Sequence, residues 1–154
     1  MKIGFIGLGN MGGSLARVVA RQKNHQILLA NRSPEKAKQI AHEVGGEPVT
    51  NEVVFEQANV IFLGVKPTQF ADLLQEYHAI LEKRSSVLLI SMAAGLTLQQ
   101  LEALVPTQHR LIRIMPNMPV AVGAGVISYA VSDKATEQDE DLLCELLDPA
   151  GLLV

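Results

Sequence analysis

Three glycines near the amino terminus, in Gly7-Leu8-Gly9-Asn10-Met11-Gly12, stand at the spacing G-x-G-x-x-G. A short apolar run (Ile3, Phe5, Ile6) precedes them, and helical spacing follows, with Met11, Leu15, Val18 and Val19 on one face. Strand, glycine turn and helix in that order can hold the pyrophosphate of a dinucleotide. Gly7 permits the tight turn, Gly9 lets backbone approach the phosphates, and Gly12 lets helix and strand pack closely. The helix N-terminus adds unpaired N–H groups and partial positive charge. A glycine-rich turn with no ligand is the bland alternative.

The end of the next strand selects among dinucleotides. An Asp or Glu about 20 residues beyond the glycines would accept hydrogen bonds from a ribose 2′-OH. Here that position reads Asn31-Arg32-Ser33, with no acid before Glu35. A guanidinium beside two small polar side chains suits a 2′-phosphate, which a carboxylate would repel. NADP(H) is therefore expected, with NAD(H) less favoured. Ser33 also reads as the cap of a helix starting at Pro34, whereas Arg32 has no such structural reason. Two further polar residues stand at strand ends. Lys66, before Pro67, follows a buried strand but is equally a solvated loop lysine. Asn117 lies between Pro116 and Pro119 on stiff backbone, yet is almost as readily a turn asparagine.

The elements that must position these groups follow from periodicity. Short strands are expected at 26–30, 48–50, 59–65, 86–90, 110–114 and 126–131. The run 59–65 is apolar on both faces, as in a parallel sheet covered by helices. Helices are expected at 34–44, from Pro67 through a stripe of Phe70, Leu73, Leu74, Tyr77, Ile80 and Leu81, after a Thr97–Gln100 capping box, and around Leu142, Leu143, Leu146 and Leu147. The acidic run Glu137, Asp139, Glu140 and Asp141 reads as a solvated face, and Cys144 as a buried or half-buried spectator. The pattern predicts an α/β fold: a Rossmann-type, doubly wound, mostly parallel sheet with helices on both faces, in one domain over 1–154.

Composition narrows the partners. The chain is 48% apolar and 19% charged with a net charge of −3, and it has no Lys/Arg cluster, so nucleic acid and anionic membranes are poor partners. A single cysteine excludes an internal disulfide and fits a reducing, cytoplasmic setting. The four histidines lack metal-ligand spacing. No apolar run is long enough to span a bilayer.

The motifs G-F-I-G-L-G-N-M-G at 4–12, N-R-S-P-E-K at 31–36, G-V-K-P at 64–67, S-M-A-A-G at 91–95 and R-I-M-P-N-M-P at 113–119 together resemble the pyrroline-5-carboxylate reductase family, in that family's order. The resemblance implies NAD(P)H-dependent reduction of 1-pyrroline-5-carboxylate to L-proline, the cofactor carrying the hydride, with no proton-transfer residue named in this chain. By position it implies that Ile6, Gly7, Leu8, Gly9, Asn10 and Met11 hold the pyrophosphate, while Asn31, Arg32 and Ser33 face the adenosine phosphate. Asn51 would lie on the adenosine side, Gly64, Val65, Lys66 and Pro67 by the nicotinamide ribose, and Met92, Ala93 and Ala94 by the nicotinamide. Asn117 would help shape the pocket. Met118 stands where the family usually has threonine, which puts a hydroxyl contact there in doubt. The family also has a helical C-terminal domain that makes its homo-oligomer and much of its substrate pocket. Nothing in this sequence corresponds to it, so 1–154 is expected to be the cofactor-binding part of a longer enzyme. A non-catalytic NADP-binding module shares the cofactor residues. Another small dehydrogenase, such as a prephenate dehydrogenase, shares the opening Gly7–Leu15 but not the later motifs.

Overall fold

The computed structural model describes residues 1–116 and 125–154. Its eight strands are β1 (Lys2–Ile6), β2 (Gln26–Ala30), β3 (Glu47–Pro48), β4 (Val60–Leu63), β5 (Leu88–Ser91), β6 (Arg110–Pro116), β7 (Gly125–Val131) and β8 (Gly151–Leu153). Among the described residues, seven α-helices connect them: α1 (Asn10–Ala20), α2 (Pro34–Val44), α3 (Asn51–Gln57), α4 (Phe70–Glu76), α5 (His78–Lys83), α6 (Leu98–Glu102) and α7 (Glu137–Leu147). All strands form one sheet in the order β3-β2-β1-β4-β5-β6-β7-β8. The first six are parallel; β7 runs antiparallel to β6, and β8 parallel to β7. The α/β, doubly wound expectation holds, with an added antiparallel margin.

Period-2 alternation divides the apolar residues between two cores. Ile3, Phe5, Phe62, Ile90 and Ile112 point to the side covered by α1, α2 and α7. Ile6, Leu28, Ile61, Leu63 and Leu89 point to the side covered by α3 to α6. Because both faces are covered, β4 is buried at every position. The Phe5 and Phe62 rings stack at 4.6 Å in the middle of the sheet.

Several boundaries differ from the sequence expectation. The strand expected at 59–65 stops at Leu63, where Gly64 begins the loop that follows, and the third strand is only Glu47–Pro48. The helix expected across 70–81 is two helices meeting at Tyr77, where the Tyr77 ring lies 5.0 Å from that of Phe55. Its stripe is nevertheless core, with Phe70, Leu73, Leu74 and Leu81 buried. Cys144 is exposed, not buried. Leu143, Leu146 and Leu147 set the inward phase of α7, and position 144 falls outside it. Asp139 corrects the reading of the acidic run as solvated. It lies four residues before Leu143 on the same inward face and is buried.

Asp139 is held in a network at the amino-terminal end of β6. Arg110 Nε donates to Oδ2 at 2.7 Å and Nη2 to Oδ1 at 3.1 Å, a two-pronged pair, and Nη1 reaches Ser86 Oγ. The Thr136 amide also donates to Oδ2, closing a capping box with the Asp139 amide on Thr136 Oγ1. Burial alone would raise the Asp139 carboxyl, but Arg110 and Thr136 outweigh it and hold the group below the usual carboxylate range.

His109, also buried, joins β5, α5 and β6. Its Nδ1 accepts the Val87 N–H at 3.0 Å, and Nε2 lies 2.7 Å from the Leu81 carbonyl. A neutral ring protonated on Nε2 satisfies both partners. Burial lowers its pKa, helped by Arg84 and Arg110 and opposed by the Leu81 carbonyl. Unfolded histidine titrates near 6.5, so the unfolded chain binds more protons below that pH. Stability from His109 is complete above about 6.5 and falls as pH drops through the lowered folded value. We expect the urea midpoint to decrease from pH 7.5 to pH 5. His109→Gln should flatten that slope while removing about 1–3 kcal/mol at pH 7.5; an unchanged slope would assign it to other groups.

Candidate dinucleotide site

The strand order reverses between β1 and β4, and there the carboxyl ends of the strands open a crevice. Its floor is set by backbone. Gly7 has φ +90°, and a Cβ on it would lie 2.6 Å from the Gly64 carbonyl carbon. A Cβ on Gly12 would collide with the Gly7 carbonyl oxygen. Three backbone segments therefore meet where no side chain fits: the end of β1, the start of α1 and the loop after β4. Gly7 N–H to the Ala30 carbonyl (3.0 Å) and Gly64 N–H to the Ile6 carbonyl (2.7 Å) fix the arrangement.

Gly9 is different. It is the N-cap of α1, with φ −64°, and a Cβ there would meet nothing within 4 Å. Its side faces open space, so packing does not require a glycine here. Close approach of a ligand would. Beyond Gly9, the N–H groups of Asn10, Met11 and Gly12 have no acceptor among the described residues. They form an anion-receptive cluster at the mouth of a helix of 11 residues.

Two adjoining hollows of about 470 Å³ each make up the crevice. One contains Ile6, Gly7, Leu8, Gly9, Gly64, Val65 and Lys66; the other contains Pro34, Ala37, Lys38, Pro48, Val49, Thr50 and Tyr77. Asn31, Arg32 and Asn51 border both. The fold thus brings together residues named from sequence in four separate stretches, Ile6–Gly9, Asn31–Arg32, Asn51 and Gly64–Lys66. Arg32 and Lys66 are exposed on the rim, and neither has an ion pair among the described residues. Lys66 opens a short 3-10 turn (Pro67–Gln69), its N–H donating to Gln69 Oε1 at 3.4 Å. Ser33 is the N-cap of α2 but gives no side-chain cap bond, which leaves its hydroxyl exposed beside Arg32. Asn31 is engaged within the protein: Oδ1 accepts the Leu8 N–H at 2.8 Å, and Nδ2 donates to the Ser33 carbonyl.

Met92, Ala93 and Ala94 follow β5, and Ser91 Oγ receives the Ala93 N–H. The Met92 methyl group would lie 2.9 Å from a Cβ on Gly64, so this loop closes the β4 side of the crevice. Asn117, with Met118 and Pro119, lies outside the described residues. Sequence reading missed Tyr77, Val49 and Lys38 as lining residues. The periodicity places Tyr77 in the core stripe, although the residue is half-buried at a helix junction and also lines the crevice. A further hollow of about 410 Å³ lies at the opposite end of β6, near Glu102 and Lys134, and includes none of these residues. Among the described residues no group of His, Cys, Asp or Glu converges for a metal, and no helix is long and apolar enough to cross a membrane.

Fold and crevice define the class: a Rossmann-type domain of the dinucleotide-binding kind. The chain belongs to the family described as "NADP oxidoreductase coenzyme F420-dependent", whose sequence model matches residues 2–95. Over 156 residues it is 36% identical to pyrroline-5-carboxylate reductase 3 of Danio rerio, covering 99% of this chain and 54% of that protein. Among solved structures it resembles a pyrroline-5-carboxylate reductase from Coxiella burnetii, with a TM-score of 0.89 at 28% identity over 99% of this chain and 57% of that one. It also resembles the Plasmodium falciparum pyrroline carboxylate reductase with NADP bound, with a TM-score of 0.85 at 25% identity over 100% of this chain and 56% of that one. The chain spans about half the length of the curated relatives it matches.

Two glycine variants separate packing from binding. Gly12→Ala should lose about 1–3 kcal/mol in denaturant unfolding, because the new methyl group drives backbone apart. Gly9→Ala should unfold within about 0.5 kcal/mol of the parent yet bind dinucleotide at least tenfold more weakly by calorimetry. Equal binding by Gly9→Ala would show that the ligand does not approach that backbone.

Proposed function

We propose that residues 1–154 form one NADP(H)-binding domain, the cofactor-holding part of an enzyme that reduces 1-pyrroline-5-carboxylate to L-proline. The observation that carries this reading is the free Cβ position of Gly9 beside the unpaired amides of Asn10, Met11 and Gly12, continuous with the Arg32 rim. A pyrophosphate fits against those amides and the α1 dipole. The adenosine fits the hollow between Pro34, Val49 and Tyr77, with Asn51 at its edge. Arg32 and the Ser33 hydroxyl then meet a 2′-phosphate; among the described residues no carboxylate borders that hollow, and Asp72 and Glu76 line only the adjoining one. Gly64 to Pro67 would carry the nicotinamide ribose, and Met92 to Ala94 the ring. The name of the Danio rerio relative and the NADP of the Plasmodium structure support the same assignment.

When bound, reduced nicotinamide supplies a hydride, which the imine carbon accepts while its nitrogen keeps a proton. The residues of this chain orient that transfer and exclude water from one side. Lys66 adds positive charge near the ribose, and no proton-transfer residue is assigned here. Substrate selection and homo-oligomerisation are assigned to the part of the relatives' length that this chain does not span, and we place the protein in the cytoplasm, in keeping with the single cysteine among these 154 residues.

NADPH fluorescence titration of the 154-residue chain should saturate, with little or no proline formed when 1-pyrroline-5-carboxylate is added. Robust turnover would refute this division of labour. Arg32→Asp should raise the NADPH dissociation constant tenfold or more and affect NADH far less, since one bidentate contact is replaced by repulsion. Equal effects on both would remove Arg32 from the phosphate.

A further inference from the structure

We propose that Asn31 is a positioning residue for the glycine turn, its carboxamide locking the Leu8 peptide instead of gripping the nucleotide. The inference rests on the crevice taking a pyridine dinucleotide, as argued above. The β1–β2 ladder ends at the Ile6–Ala30 pair, and Gly7 N–H still reaches the Ala30 carbonyl. One residue further, the Leu8 N–H has no strand carbonyl to meet. The chain turns at Gly7, whose φ is +90°, and Asn31 Oδ1 accepts the Leu8 N–H at 2.8 Å just past the end of the strand.

The other end of the same amide is also committed. Nδ2 donates to the Ser33 carbonyl at 3.2 Å, and that carbonyl also receives the Lys36 N–H in the first turn of α2. One side chain thus ties the glycine turn to the N-terminus of α2, across 23 residues of sequence. The two partners fix its orientation, because an N–H must face the oxygen and a carbonyl must face the NH2. Aspartate would accept from Leu8 but could not donate to Ser33, and it would bring negative charge to the phosphate rim. Asparagine alone of the two supplies both bonds.

The consequence is a division of labour at neighbouring positions. The Leu8 side chain is fully buried, and its N–H turns towards Asn31. The peptide that carries Gly9 and the free amides of α1 is thereby held in one orientation. Asn31 acts on the pyrophosphate cradle, which every pyridine dinucleotide shares. Arg32 acts on the 2′-phosphate, which only some carry.

The test uses the 154-residue chain with Asn31→Ala and Asn31→Asp, titrated with NADPH and NADH, while NMR follows amide exchange at Leu8 and at Phe5. Asn31→Ala should weaken both nucleotides by the same factor, about tenfold, and leave their ratio unchanged. Leu8 exchange should accelerate at least tenfold with Phe5 unaltered. Asn31→Asp keeps the acceptor, so Leu8 should remain protected. A loss confined to NADPH with Leu8 still protected in Asn31→Ala would overturn the proposal, as would equal acceleration at Leu8 and Phe5. If Asn31→Ala does not fold, Asn31→Asp decides alone, and loss of Leu8 protection there overturns the proposal. If the parent chain binds neither nucleotide, the cofactor reading fails, while Leu8 exchange still decides whether Asn31 holds the turn.

Discussion

Backbone against backbone is the contact on which the crevice depends. The Gly7 carbonyl, the first turn of α1 and the Gly64 peptide approach more closely than any pair of side chains would allow. That approach brings the N-terminus of α1 to the carboxyl edge of the sheet, where its unpaired amides face outward. It also leaves the Gly9 flank open. Without it, α1 would stand off from β1, and the amide cluster would have no fixed position relative to Arg32 or Lys66. Hydrogen bonds from Gly7 to Ala30 and from Gly64 to Ile6 then join three strands at that point.

The molecule separates its fastening from its open end. At the amino-terminal ends of the strands, Arg110 and Asp139 form a two-pronged pair, and His109 bridges three elements. Arg84 donates to the Phe55 and Ala58 carbonyls, closing the last turn of α3. These groups satisfy one another, and burial penalises any of them left unpaired. At the carboxyl ends, by contrast, Arg32 and Lys66 are exposed and the first amides of α1 lack acceptors. Polar groups that the fold leaves unsatisfied at one edge are those available for an anionic ligand. Asn31 is the exception at that edge, because its amide is used to hold the edge together.

The regular architecture was legible in the residues. Glycine spacing marked the first turn, proline and glycine marked both ends of α2, and Thr97 with Gln100 marked α6. Apolar runs without alternation announced a sheet covered on both faces. Less legible were features that need partners from distant parts of the chain. Asp139 looked like one acid among four until its helical phase was set against β6. Cys144 reads from sequence as a buried or half-buried spectator, yet the phase fixed by Leu143 and Leu146 turns it outward. Tyr77 fits the core stripe and also borders the hollow beside Pro34 and Val49, because the helix breaks at that residue.

By itself, the sequence determined the strand–turn–helix opening, the α/β class, the absence of an acid after β2 and the presence of Arg32 there. These are local properties, set by residue type and by periods of two and 3.6 that any short window displays. Only the tertiary structure decided which polar groups are free. Asn31, Arg32 and Ser33 read alike as three polar neighbours, but Asn31 is engaged across the sheet while Arg32 reaches the rim. Whether a hydrogen bond is already made depends on atoms far apart in the chain, and their proximity is fixed by packing.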